Sequence, residues 1–247
     1  MDWAEVRARV QGIEGFINDN EAEYLCMLAE KCGGTIVEIG SWKGKSTVYL
    51  ALGSKTGSGG KVYSIDPHRD APDYTGAFGA EDTEPIFREN IKRAGVDDIV
   101  IPMVMRSEEA VKGWAEPISL LWIDGAHDYE NVKKDFLLWE PYLKEGGIIA
   151  FDDAINPRFP DVRKVVNEYI LPSSKFSDVH FCEVSLCATK VARLSMRDRF
   201  SKFQKSIIYH TFPFAQFVMN FMVPILAKVR LLTTVRRMKD KVLALIR

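Results

Sequence analysis

The stretch Leu121-Trp-Ile-Asp-Gly-Ala-His-Asp-Tyr129 is an apolar run that ends in an acid at a turn. Ile149-Ala-Phe-Asp-Asp153 repeats that arrangement further along the chain. Continuous apolar runs of this kind read as strands buried on both faces, which occur in parallel sheets sandwiched between helices. Open sheets of that class bind their ligands at the carboxyl ends of the strands. The two runs therefore deliver Asp124, Asp152 and Asp153 to the mouth of a sheet, with His127 three residues beyond the first acid. Three carboxylates suit Mg²⁺ or a similar hard cation, and an imidazole beside that charge is a candidate general base. The same acids are also good N-caps for the helices that follow, and the two runs alone leave both readings open.

Upstream, Gly34-Thr-Ile-Val-Glu-Ile-Gly-Ser-Trp-Lys-Gly-Lys-Ser-Thr-Val48 runs from an apolar strand into a turn with Gly40 and Gly44, then into a helix opened by Ser46 and Thr47. Glycines allow the backbone to approach a ligand closely, and the free N–H groups at a helix start favour an anionic group. The spacing Gly-x-x-x-Gly lacks the third glycine of the dinucleotide fingerprint, and position 39 is not the glycine a phosphate-cradling P-loop requires. Next, Lys61-Val-Tyr-Ser-Ile-Asp66 is a second strand ending in an acid, where a carboxylate that grips ribose hydroxyls is expected.

Val37 to Thr47, Ile65-Asp66 and Ile123 to Tyr129 together resemble the class I S-adenosylmethionine-dependent methyltransferases. They are most similar to the branch that includes the sugar O-methyltransferases of macrolide biosynthesis, and more distantly to catechol O-methyltransferase. The resemblance extends over residues 10 to 190. It implies that Glu38, Gly40, Ser41, Gly44 and Ser46 surround the methionine portion of the cofactor. It further implies that Asp66 holds the ribose, that Ser107 lies near the adenine, and that Asp124 also borders the cofactor. By the same resemblance Asp124, Asp152 and Asp153 match metal ligands, Mg²⁺ or a similar divalent cation, and His127 matches the base.

Strand and helix signals alternate, which predicts an α/β, doubly wound, mostly parallel sheet with an antiparallel edge. A leading helix is expected near 20–32, with strands near 35–39, 61–66, 99–105, 118–124 and 147–152. Helices are expected near 45–54, 83–94, 107–114, 129–143 and 160–170. Residues 177–184 and 186–192 read as a closing antiparallel pair. The long loop from Pro67 to Asp82 leaves the cofactor-facing end and reads as a lid or binding loop. His68 at its start reads as a solvated or hydrogen-bonding residue rather than a ligand.

Charge separates residues 1–192, the expected methyltransferase domain, from a tail at 193–247. The tail holds twelve Lys/Arg against two Asp/Glu, while the remainder holds 21 basic and 32 acidic residues, so the net −1 conceals opposite halves. Ser206 to Ala227 carries no charged residue, yet His210, Gln216, Asn220, Pro213 and Pro224 make it a poor spanning helix. Beyond it Ile225, Val229, Leu232, Val235, Met238, Val242 and Ile246 recur at helical steps with basic residues largely elsewhere, as in an amphipathic helix on an anionic membrane. A helical arm packed on its own domain or building a homo-oligomer fits the same pattern. Nucleic acid does not, because stacking aromatics are not interleaved with the basic residues. The N-terminus lacks a signal pattern, and Cys26, Cys32, Cys182 and Cys187 lack zinc-site spacing. A cytoplasmic protein with reduced thiols is expected, peripheral on the inner membrane face if the tail binds lipid.

The expected chemistry is metal-assisted O-methylation of a sugar or glycan hydroxyl. Two alternatives use the same motifs: a metal-independent methyltransferase of another small-molecule acceptor, and a non-catalytic cofactor-fold protein tethered by its tail.

Overall fold

The computed structural model describes residues 2–69, 82–195 and 198. Expectations for the loop at 70–81 and for the tail beyond Ser195, Asp198 apart, lie outside the described residues. The chain divides into two units, Met1–Leu194 and Ser195–Arg247, and every helix and strand with a described range lies in the first.

Seven strands form one sheet: β1 (Thr35–Ile39), β2 (Val62–Ile65), β3 (Val100–Met103), β4 (Ile118–Ile123), β5 (Leu143–Phe151), β6 (Phe176–Cys182) and β7 (Ser185–Lys190). Their order is β3-β2-β1-β4-β5-β7-β6, and β7 runs antiparallel to both β5 and β6. The expected antiparallel edge is present, with the later strand of the pair inserted inside the earlier one. The helices are α1 (Trp3–Val10), α2 (Asp19–Lys31), α3 (Lys45–Thr56), α4 (Glu84–Arg93), α5 (Ser107–Ala110), α6 (Tyr129–Trp139) and α7 (Pro160–Val165).

Local chemistry accounts for the boundaries. Asn18 caps α2 by accepting the Glu21 N–H at 3.0 Å, and Ala22, Leu25, Cys26 and Ala29 give the helix its buried stripe. Every residue of β4 is buried, as a central parallel strand requires. The helix expected through 143 stops at Trp139, because Pro141 supplies no N–H; a 3₁₀ turn covers Glu140–Tyr142 and β5 begins at once. Likewise α5 is only one turn long, and α7 passes into a π-helical turn at Val166–Ile170. The helix α1, capped by Asp2, was not expected; Val6 and Val10 bury its inner face.

The largest fully buried side chains, Trp122, Trp139, Phe87, Phe151 and Phe176, come from strands and helices along the whole unit. All four cysteines are free thiols, Cys26 and Cys187 buried, Cys32 and Cys182 half-buried. Among the described residues no helix is long and apolar enough to cross a membrane.

Strand order reverses between β1 and β4, and a doubly wound sheet leaves its crevice at that point. Hydrogen bonds that run one step past each strand hold the crevice residues. The N–H of Gly40 donates to Ile65 O at 2.9 Å, that of Asp124 to Ile39 O at 2.8 Å, and that of Asp152 to Ile123 O at 3.0 Å. Each strand end thus fixes the first turn residue of its neighbour.

Candidate functional site

The turn after β1 is built on a buried acid. Glu38 is fully buried in β1 and accepts from Ser46 Oγ at 2.6 Å, Thr47 Oγ1 at 2.5 Å and Ser64 Oγ at 3.0 Å. Burial pushes its carboxyl up to about 7 despite those three donors. The hydroxyls tie β1 to the start of α3 and to β2. The side chains of Glu38 and Ser46 thus bond each other at the foundation of the turn, and Ser46 Oγ keeps its acceptor lone pairs.

The turn itself is left-handed at Gly40 (φ 88°), Trp42 (φ 43°) and Gly44 (φ 87°). A Cβ at Gly40 would lie 2.1 Å from Asp124 O, so only glycine lets the turn rest against the end of β4. Asp66, just past β2, accepts the N–H groups of Ser41 at 2.9 Å, Trp42 at 2.8 Å and His68 at 2.7 Å. A carboxylate offers about four acceptor positions, so roughly one remains for a ribose hydroxyl. Asp66 is thus first a clasp on the turn.

Two features of the turn fit an incoming ligand. Ser41 Oγ is buried without a hydrogen-bond partner, a state that costs about 1–3 kcal/mol unless a ligand relieves it. At Gly44 no side chain caps the first turn of α3, which leaves its leading N–H groups free. The carboxylate end of a methionine-like group matches both.

Ser107 sits at the start of α5, but its hydroxyl accepts from Trp139 Nε1 at 2.9 Å and bonds the buried Asp135 carboxyl. One acceptor lone pair and the backbone are left for an adenine. His68 is buried rather than solvated: its ring packs on Phe87 and Nδ1 meets Thr83 Oγ1 at 2.9 Å.

At the ends of β4 and β5 the expected acids converge. Ligand atoms of Asp124, His127 and Asp152 all lie within 4.8 Å of one another. His127 Nε2 stands 3.8 Å from Asp124 Oδ1, 3.8 Å from Asp152 Oδ2 and 3.3 Å from Asp153 Oδ2. It is buried and makes no hydrogen bond of good geometry. Asp153 adopts φ 54° and commits its Oδ1 to Asn156 Nδ2 at 2.6 Å, leaving Oδ2 toward the histidine. The structure therefore brings all three expected acids around His127, and places the imidazole nitrogen among the potential ligand atoms.

The electrostatics follow from the crowding. Burial and then Asp152 raise the Asp124 carboxyl well above its ordinary value. Asp152 is also desolvated, but His127 holds it below the ordinary value. Burial disfavours charge on His127, yet Asp152 and Asp153 outweigh it and raise the imidazole to about 9. Asp124 and Asp152, with Asp153 at the rim, form an oxygen set that a divalent cation fits, and His127 Nε2 stands against it.

Sequence reasoning missed several members of the site. Ser64 and Thr47 anchor Glu38, and Ser64 stands beside it in the β1–β2 register. Period two along β2 places Ser64 on the same strand face as Asp66, a readable signal. Phe159 packs on His127 with ring centroids 4.4 Å apart; no local pattern marks it.

Residues 37–154 match the family described as "Methyltransferase domain". An uncharacterized protein of Acanthamoeba polyphaga mimivirus, R132, is 29% identical over 168 residues, covering 64% of this chain and 70% of its own. The O-methyltransferase from Bacillus cereus, solved in complex with SAH, superposes with a TM-score of 0.55 at 21% identity, over 76% of this chain and 88% of that one. The O-methyltransferase NovP superposes with a TM-score of 0.60 at 16% identity, over 71% and 81%. Likeness at such identities speaks for the fold. The family match adds to this, since it begins in β1, takes in the Gly40 turn and Asp66, and ends just past the Asp152–Asp153 pair, so that residues 37–154 carry the features of a methyltransferase domain.

Proposed function

We propose that the protein is a divalent-metal-assisted O-methyltransferase whose acceptor carries adjacent hydroxyls, as a sugar or glycan does. The observation that carries the reading is the meeting of Asp124, His127 and Asp152 within 4.8 Å at the carboxyl ends of β4 and β5, beside the Gly40 turn. When bound, S-adenosylmethionine supplies an electrophilic methyl on sulfonium, and a cation supplies positive charge that favours a deprotonated hydroxyl. Asp124, Asp152 and Asp153 would hold that cation.

The chain's own residues do the rest. The Gly40–Gly44 turn, clasped by Asp66, orients the methyl donor against the end of β4. The acid cluster fixes the acceptor oxygen on the adjoining strand ends. Such alignment lowers barriers by about 7–11 kcal/mol in well-oriented systems. His127 Nε2, facing the cluster and backed by Phe159, would receive the hydroxyl proton when a bound cation's charge keeps the imidazole neutral.

One observation favours a second reading. An imidazole raised to about 9 is itself a cation among the carboxylates at neutral pH, and would suit a metal-independent reaction. The deciding experiment is an acceptor screen with labelled S-adenosylmethionine, over free and lipid-linked glycans and simple diols, with and without Mg²⁺. Methylation of vicinal diols that stops in EDTA supports the first reading; turnover that ignores EDTA supports the second; cofactor binding without any product refutes both.

For residues 193–247 the charge of twelve Lys/Arg against two Asp/Glu supports peripheral attachment to an anionic membrane surface. A tail-dependent homo-oligomer is the competing outcome.

A further inference from the structure

Glu21 lies in the first turn of α2, far from the glycine turn in sequence and unused by the chemistry above. It is 4% exposed and has no basic partner among the described residues. Its Oε1 meets Ser185 Oγ in a short contact, and the same Oγ stands 3.1 Å from Asp152 Oδ1. Ser185, at the start of β7, is 2% exposed. Two carboxylates thus share one serine hydroxyl, and a hydroxyl has a single proton to give. One acid receives it, and the other must bring its own.

We infer that Glu21, acting through Ser185, is a positioning residue that fixes which oxygen of Asp152 faces the cation site; the inference rests on the metal-assisted reading above. The protonated Glu21 donates to Ser185 Oγ, and Ser185 donates to Asp152 Oδ1. That holds Asp152 ionised with Oδ1 tied back, and turns Oδ2, the oxygen 3.8 Å from His127 Nε2, to the cluster. Burial first, and the charge of Asp152 second, push the Glu21 carboxyl up to about 8, consistent with its role as the donor.

The relay has a rigid base. Asn18 accepts the Glu21 N–H, and Asn20 Nδ2 donates to Glu183 Oε1 at 2.9 Å, which fastens the first turn of α2 to the β6–β7 hairpin. The hairpin in turn pairs with β5 up to Phe151, the residue before Asp152. Groups that orient metal ligands in this way commonly change metal affinity by about 10–100-fold when removed.

The test is Mn²⁺ titration of the full-length protein saturated with S-adenosylhomocysteine, which binds without turning over. The variants are Glu21→Gln, Glu21→Met and Ser185→Ala. An amide can still donate to Ser185, so Glu21→Gln should keep Mn²⁺ affinity within about twofold, while Glu21→Met and Ser185→Ala weaken it roughly 10–100-fold. S-adenosylhomocysteine affinity should stay unchanged in all three, which a general loss of structure would not allow. Wild-type Mn²⁺ affinity in Ser185→Ala, or a loss in Glu21→Gln as large as in Glu21→Met, overturns the relay alone. Wild-type protein that binds no Mn²⁺ overturns the metal reading and the relay with it.

Discussion

Replacing Glu38 with glutamine should flatten part of the pH dependence of folding. In the folded protein this fully buried carboxyl is raised from an ordinary 4.5 to about 7, burial outweighing three hydroxyl donors. A difference of that size corresponds to about 3 kcal/mol. The folded state holds the proton more tightly than the unfolded chain does. The stability it contributes is therefore full below pH 4.5, declines as pH rises, and is gone above pH 7. Glutamine does not titrate. It also turns an amide N–H toward one of Ser46, Thr47 and Ser64, a penalty that is nearly constant with pH. Urea unfolding of both proteins across that window, at equal m-values, isolates the term, because other titrating groups cancel in the difference. The gap in unfolding free energy should shift in favour of the variant by about 3 kcal/mol on going from acid to neutral pH. Parallel curves would show that Glu38 titrates alike in the folded and unfolded states, and would refute the account of a carboxyl raised by burial.

Asp66→Ala strips the acceptor from three backbone N–H groups as well as from the ribose, so calorimetry should show S-adenosylmethionine binding weakened at least tenfold, about 1.4 kcal/mol; unchanged affinity would remove Asp66 from the site. His127→Ala should lower turnover about 10²–10⁴-fold with S-adenosylmethionine binding intact, and a near-normal rate would dismiss the base. Gly40→Ala should abolish cofactor binding, since its Cβ would fall 2.1 Å from Asp124 O; a variant that still binds would mean the turn and β4 part more readily than their packing suggests. Liposome flotation should show full-length protein on anionic vesicles at low salt and a chain ending at Ala192 left behind, whereas equal behaviour of the two would rule out the tail as an anchor.

Much of the fold was legible because burial on both faces writes itself as uninterrupted apolar runs, as in Leu121–Ile123 and Ile149–Phe151. Acids just past those runs marked the strand ends where Asp124, Asp152 and Asp153 gather round His127. What stayed hidden depends on contacts between distant segments. That Ser46 and Ser107 direct their hydroxyls to Glu38 and Trp139 follows from packing, and a serine reads alike in either role. The insertion of β7 between β5 and β6 leaves no local trace, since an antiparallel hairpin can dock by either strand. Glu21 and Ser185 are 164 residues apart and meet only once that docking is settled. Pro141, by contrast, was a visible stop that the expected helix through 143 ran past.

The contact between Gly40 and the carbonyl of Asp124 also bears on how such a protein can diversify. The Gly40 turn and the acid cluster share one wall with no space inside it. A side chain added there would disturb both together, so neither can be reshaped from that wall without harm to the other. On the reading proposed above, changes of acceptor preference would therefore come from the segments that follow β2 and β5 in sequence. Descendants of this chain would be expected to differ most in those segments and least along the seam between β1 and β4.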